Sequence, residues 1–220
     1  MSTKTVSLVL AVVLGLIVAG AAVYYVLAVL PRRQAAERDY TKHLEQGREA
    51  LELENNGSRA VSEFKESTKL FPDRVEPYLL MARAYFKLQR YQDAIAAVDA
   101  VPASAQSSED EARLALERGR SFVARFVDTQ NRKDLIEAKT SLEKASSFDA
   151  TKAEALFNLG TMYASRKTTA DRDKALEYWT DGLKLDQDSE TAKQIKPAYE
   201  FFLKAKSEGP KAIPSPGDGK

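Results

Sequence analysis

Apolar and small residues return three and four positions apart along most of this chain, the spacing that puts side chains on one face of a helix. Pro77 to Val101 shows it most clearly. Tyr78, Met81, Ala82 and Tyr85 share one face of a short helix, and Ala94, Val98 and Val101 share one face of a second, with a tight turn between them. Each stripe is too wide for one partner helix to cover, so the pair expects similar neighbours. Upstream, Tyr40, Leu44, Gly47, Leu51 and Leu53 mark a helix within Gln34 to Asn56. Asn55-Asn56-Gly57 supplies the turn, and Ala60, Phe64, Ser67 and Leu70 continue to a closing Pro72. Downstream, Ser107 or Ser108 can cap a helix that keeps Ala112, Ala115, Gly119, Phe122 and Phe126 on one face from Asp110 to about Thr129. Its partner (Ala138, Leu142, Ala145) arrives late, which predicts a first helix lengthened by up to two turns. A further pair starts at Ala153 with Leu156, Leu159, Gly160 and Tyr163, and returns through Ala175, Trp179 and Gly182, closed by Leu183 and Leu185.

A last helix is predicted from the Asp188-Ser189 cap to about Lys206, with Ile195, Tyr199, Phe202 and Leu203 on one face. Pro197 inside it predicts a kink or a helix start nearby. Residues 207–220, rich in Pro and Gly, cannot build a core and read as a disordered tail.

The N-terminus carries a different pattern. After a short tail (residues 1–5), Val6 to Leu30 holds 25 residues without a charge. As a helix this is roughly 37 Å long, against a hydrocarbon core of about 30 Å. Tyr24 and Tyr25 suit an interface, Pro31 is expected to stop the helix, and Arg32 and Arg33 mark its polar edge before a juxtamembrane segment (31–39). The rival reading is a signal peptide cut near Ala19-Gly20-Ala21, which would leave AVYYVLAVL exposed on the mature chain. Ala11, Gly15 and Ala19, four apart, form a small-residue stripe along which two such helices could pack; small residues are also simply common in membrane spans. Lys4 precedes the span, and Arg32, Arg33 and Arg38 follow it, a balance that leans towards a cytoplasmic C-terminal part. A short basic leader before an apolar run equally fits export, so the side stays open.

The small residues of the first helices, Gly47, Ala82, Gly119 and Gly160, are 35, 37 and 41 positions apart. That repeat length, with an aromatic, then a large apolar beside a small residue, then Tyr, then Ala-x3-Val-x2-Val, resembles the tetratricopeptide repeat (TPR) family, whose period is about 34. The resemblance implies an all-α solenoid of about four helix-turn-helix units (40–74, 75–106, 109–150 and 153–187). A capping helix (189–206) would complete a domain over 40–206 behind the transmembrane anchor.

It also implies a concave groove lined by first-helix residues three before and one after the small position, and by the next turn. Carried over residue by residue, these are Leu44, Leu79, Leu116 and Phe157; Arg48, Arg83, Arg120 and Thr161; then Leu51, Phe86, Val123 and Ala164. An apolar row beside three arginines suits a protein or peptide with acidic groups next to apolar anchors. Alternatively the arginines are a solvated face paired with Glu45, Glu49, Glu52, Glu76 or Glu117. The Lys and Asn pattern that some members use to clamp a chaperone carboxylate is not reproduced, since Leu44, Arg48 and Leu80 stand there.

Composition narrows the chemistry. Charge nearly cancels, at +1, which argues against nucleic acid as a partner. Cysteine is absent and His43 is the single histidine, so thiolate metal sites and cysteine nucleophiles are excluded. Asp171, Asp173, Asp186 and Asp188 lack calcium-loop spacing and read as turn and cap residues, and Asn56-Gly57-Ser58 matches a glycosylation sequon but is read as a turn. No enzyme, cofactor or metal is expected. The expected role is a membrane-anchored adaptor that binds a protein in its groove and supports assembly of a membrane complex. The alternative is a structural subunit packed into a larger complex through its span, with oligomers forming along the same helix; an enzyme would need a pocket in the irregular third unit.

Overall fold

The computed structural model describes residues 3–166 and 168–208, with side chains from Val13 onward. It is helical, with no strand among the described residues. The first helix, α1 (Thr3–Tyr24), passes through a π-helical turn (Tyr25–Val29) into α2 (Leu30–Glu52) without a break. Pro31 therefore does not stop the helix, contrary to the expectation above. It sits at the first positions of α2, where a missing N–H costs little, and the wider turn before it (Leu30 N–H to Tyr25 O) gives its ring room. The expected juxtamembrane segment is helix as well.

Beyond Tyr40 the chain folds as antiparallel helix pairs stacked side by side: α2 with α3 (Gly57–Leu70), α4 (Glu76–Lys87) with α5 (Tyr91–Asp99), α6 (Ser108–Thr129) with α7 (Arg132–Ser146), and α8 (Asp149–Ala164) with α9 (Thr169–Leu185). The first helices α2, α4, α6 and α8 also touch in succession, forming the inner face of a solenoid. The last helix, α10 (Glu190–Glu208), lies against α8 and α9. It runs through Pro197, and its N-terminus is capped by the Ser189 hydroxyl, which accepts from Ala192 N–H at 3.1 Å. Leu203 and Leu185, expected on packed faces, are exposed. The tail from residue 209 lies outside the described residues.

The turns follow local chemistry. Asn55, Gln89 and Gln130 take left-handed backbone (φ 50°, 58° and 54°) just after α2, α4 and α6, where a helix must reverse. Asn55, not Gly57, thus provides the special geometry of the first turn. Asn56 caps α3 by accepting the Arg59 N–H at 3.1 Å, and Gly57 is required because a Cβ there would meet Leu88 Cγ at 2.8 Å. Helix α6 has the predicted extra length, 22 residues. Its start is a reciprocal capping box: Ser107 Oγ accepts from Asp110 N–H at 3.1 Å, and Asp110 accepts from Ser107 N–H at 3.2 Å. Ser107→Ala should lower stability by about 1 kcal/mol in urea unfolding, with Ser107→Asp largely restoring it.

In three of the four pairs a small residue on one helix receives a large one from its partner. Phe64 lies over Gly47, Leu142 over Gly119 (a Cβ there would meet Leu142 Cγ at 2.6 Å), and Trp179 over Gly160. Trp179 also donates its indole N–H to Phe157 O at 3.1 Å. The buried side chains form two clusters, one through α2–α5 and one through α6–α10. Ile95 of α5 belongs to the second and Leu114 of α6 to the first, so these two residues cross the seam.

Candidate partner-binding cleft

The inner face opens between α4, α6, α8 and the start of α10 into a cleft of about 490 Å³. Its apolar wall is Phe86, Tyr91, Val123, Ala124, Val127 and Ile195; its polar wall is Arg120, Asp128, Glu154, Asn158, Thr161 and Glu190. Phe86 and Tyr91 pack as a tilted aromatic pair with centroids 5.4 Å apart. Thr161 faces the cleft while its hydroxyl donates to Phe157 O at 3.0 Å.

The apolar half of the predicted groove lies elsewhere. Leu44, Leu51, Leu79, Leu116 and Phe157 are buried in the cores, and Val123, though it borders the cleft, is 4 % exposed. A first helix here touches its own partner and the next unit, so the stripe that faces neighbours is wider than the two-helix picture allows. These residues hold the solenoid together; of the expected row only Phe86 and Val123 border open space.

The three arginines do line up, but Arg48 and Arg83 are paired between helices and Arg120 within its own. Arg48 of α2 pairs with Glu76 of α4, with Glu45 at 3.8 Å. Arg83 of α4 donates from Nε to Glu117 of α6 at 2.6 Å. Glu117, 2 % exposed, also faces Arg120 at 3.7 Å, so each carboxylate oxygen meets a cation. Burial opposes the charged form of Arg83, yet the field and hydrogen bond of Glu117, with smaller contributions from Glu154 and Glu52, outweigh it and raise its pKa. Arg120 lies over the Phe86 ring, 3.9 Å from its centroid. Glu76, Glu45 and Glu117 are among the partners the sequence offered. The column is therefore an inter-repeat lattice of ion pairs and not a row of free guanidinium groups.

In the span, Gly15 and Ala19 are exposed and nothing lies within 4 Å of a Cβ built on Gly15; the Ala11 side chain lies outside the described residues. His43 pairs through Nδ1 with Glu63 at 2.7 Å and ties α2 to α3. Asp171 caps α9 with Thr168, Asp186 accepts from Asp188 and Ser189 N–H groups, and Asp173 pairs with Lys206. No metal-holding group of His, Cys, Asp and Glu exists among the described residues.

Sequence reasoning missed Glu117 and Asp134 as buried carboxylates. Asp134 takes a bidentate contact from Arg125 at 2.8 and 2.6 Å. Both look like ordinary helix-surface residues, and only their position beside the small residue or at a helix start hints otherwise. The cleft carboxylates Asp128, Glu154 and Glu190 were missed too, because they come from three helices far apart in sequence.

Stacked helix pairs with a small residue seated under a large one, and an inner face built from the first helices, define a tetratricopeptide repeat solenoid. Residues 51–119 match the tetratricopeptide repeat family, and the helices around them continue the same solenoid fold. Among solved structures it is similar in fold to one described as "Crystal structure of MamA protein", with a TM-score of 0.51 and 18 % identity over 81 % of this chain and 100 % of that one. No curated protein matches the sequence. One described helix, within Val13–Glu52, is long and apolar enough to cross a membrane or to serve as a signal sequence.

Proposed function

We propose that this protein is a membrane-anchored scaffold whose repeats hold a segment of a partner protein in the inner cleft, supporting assembly of a complex at the bilayer surface. The observation that carries the reading is the cleft itself. Helices α4, α5, α6, α8 and α10 converge on a space with an aromatic and aliphatic wall that no described side chain fills. The apolar span fits the anchor, since none of its most apolar window is buried against the repeats. Anchoring raises the local concentration of whatever the cleft binds. Because the arginine column is neutralised internally, the apolar anchors of the expected partner remain in this reading while its acidic groups lose their counterpart.

A photo-crosslinking residue at Ala124 in the cleft should give discrete adducts in native membranes, and one at Lys139 on the outer helix α7 should not. Equal adducts at both positions would sink the cleft reading. In the same membranes, the full chain should resist alkaline extraction and a chain lacking residues 1–30 should be released.

A further inference from the structure

We infer that the cleft takes a cationic side chain, lysine or arginine, carried beside an apolar anchor on a segment of the partner protein. This deepens the scaffold reading and rests on it. Two ion pairs join successive repeats. Arg48 of one first helix meets Glu76 of the next, and Arg83 meets Glu117 of the next. The same step from α6 to α8 would join Arg120 to Glu154, which stands as far before Gly160 as Glu76 does before Ala82. That step is not made. Arg120 instead turns back to share Glu117 and lie over Phe86.

Glu154 is left at the cleft wall with no ion pair or side-chain hydrogen bond among the described residues, and so is Asp128 across from it. Glu190 has only an exposed contact to Lys193 at 4.0 Å. Three carboxylates thus line the cleft against one guanidinium, which already has a partner. A concave surface concentrates their field.

The rest of the lining fits the same guest. Among the described residues the Tyr91 hydroxyl makes no hydrogen bond, and burial followed by the field of Asp128 raises its pKa, keeping it a neutral phenol. Val127, 46 % exposed, and Val123 offer an aliphatic surface for the stem of a long side chain or a neighbouring apolar residue. An acidic segment would meet an excess of like charge at the same place, so the cleft selects against it. The carboxylates are not gathered closely enough to hold a metal ion instead.

The test uses the full chain in lipid nanodiscs and a random-peptide phage library as probe. Three forms are compared: wild type, Asp128→Asn/Glu154→Gln/Glu190→Gln, and Ala124→Trp, which fills the cleft; circular dichroism checks that each is folded. Peptides selected on wild type should be enriched in Lys or Arg next to aliphatic or aromatic residues. They should bind the neutralised form about tenfold more weakly, lose affinity as salt rises, and fail on the filled form. If the selected peptides need an open cleft but are acidic or neutral, or bind the neutralised form equally well, the cationic inference falls and the scaffold reading stands. If no selected peptide distinguishes the filled form from wild type, both fall.

Discussion

Trp179→Ala should cost about 3–5 kcal/mol and loosen the C-terminal half of the solenoid first. Trp179 is 2 % exposed and touches three things at once: the bare backbone of Gly160, the Phe157 carbonyl through its indole N–H, and the Phe202 ring of α10 at 5.6 Å between centroids. Truncation leaves a void that the α8 and α9 backbones cannot close, strips Phe157 O of a donor, and removes the seat of α10. That helix fully buries only Ala192 and Ile195, and its polar ties, Tyr199 with Thr180 and Lys206 with Asp173, are few. Hydrogen exchange should rise most over α8–α10 and least over α3–α5. Because Trp179 is the single tryptophan, circular dichroism and not fluorescence must follow unfolding. Uniform exchange across all helices would show that the two clusters unfold as one, against the division drawn from the core.

Phe64→Ala should have the mirror-image effect, about 3–5 kcal/mol concentrated in α2–α5. Phe64 is fully buried and its ring occupies the space a Cβ on Gly47 would need. Gly47→Ala alone should therefore be strongly destabilising. In the Phe64→Ala background the same change should be mild or restorative, since the methyl enters vacated space and replaces a flexible glycine within a helix. A double-mutant cycle by urea denaturation reads this coupling directly. Additive losses would mean that Gly47 is small for another reason.

The helix pairs were legible because small and large residues alternate at a fixed period: Gly47 with Phe64, Gly119 with Leu142 and Gly160 with Trp179 are packing statements written in residue size. The long α6 was legible for the same reason, as a displaced partner helix. What each residue faces was less legible. Leu44, Leu79 and Leu116 stand at groove positions by register, yet the next helix pair covers them, and coverage depends on how closely neighbours stack. Charge pairing was harder still. Arg48 and Glu76, or Arg83 and Glu117, meet across 28 and 34 positions, beyond any local pattern. Pro31 misled because proline breaks a helix interior but is tolerated where a wider turn precedes it.

On the proposed anchoring, the unbroken passage from α1 through the π turn into α2 would give the repeats a fixed bearing. If the span stands upright in the bilayer, α2 continues in that direction, and α4, α6 and α8 run the same way because each return helix lies antiparallel between them. The solenoid then advances parallel to the membrane plane, like books along a shelf. Its short links Phe71–Val75, Ala100–Ser107 and Asp186–Ser189 look down at the lipid, and its hairpin turns look away. The α2 helix from Leu30 to Tyr40, tied to the repeats by Glu37 with Arg74, would lift the shelf by about 15 Å. On the same placement, a guest of the proposed cleft would reach it by lateral approach within the thin layer above the headgroups.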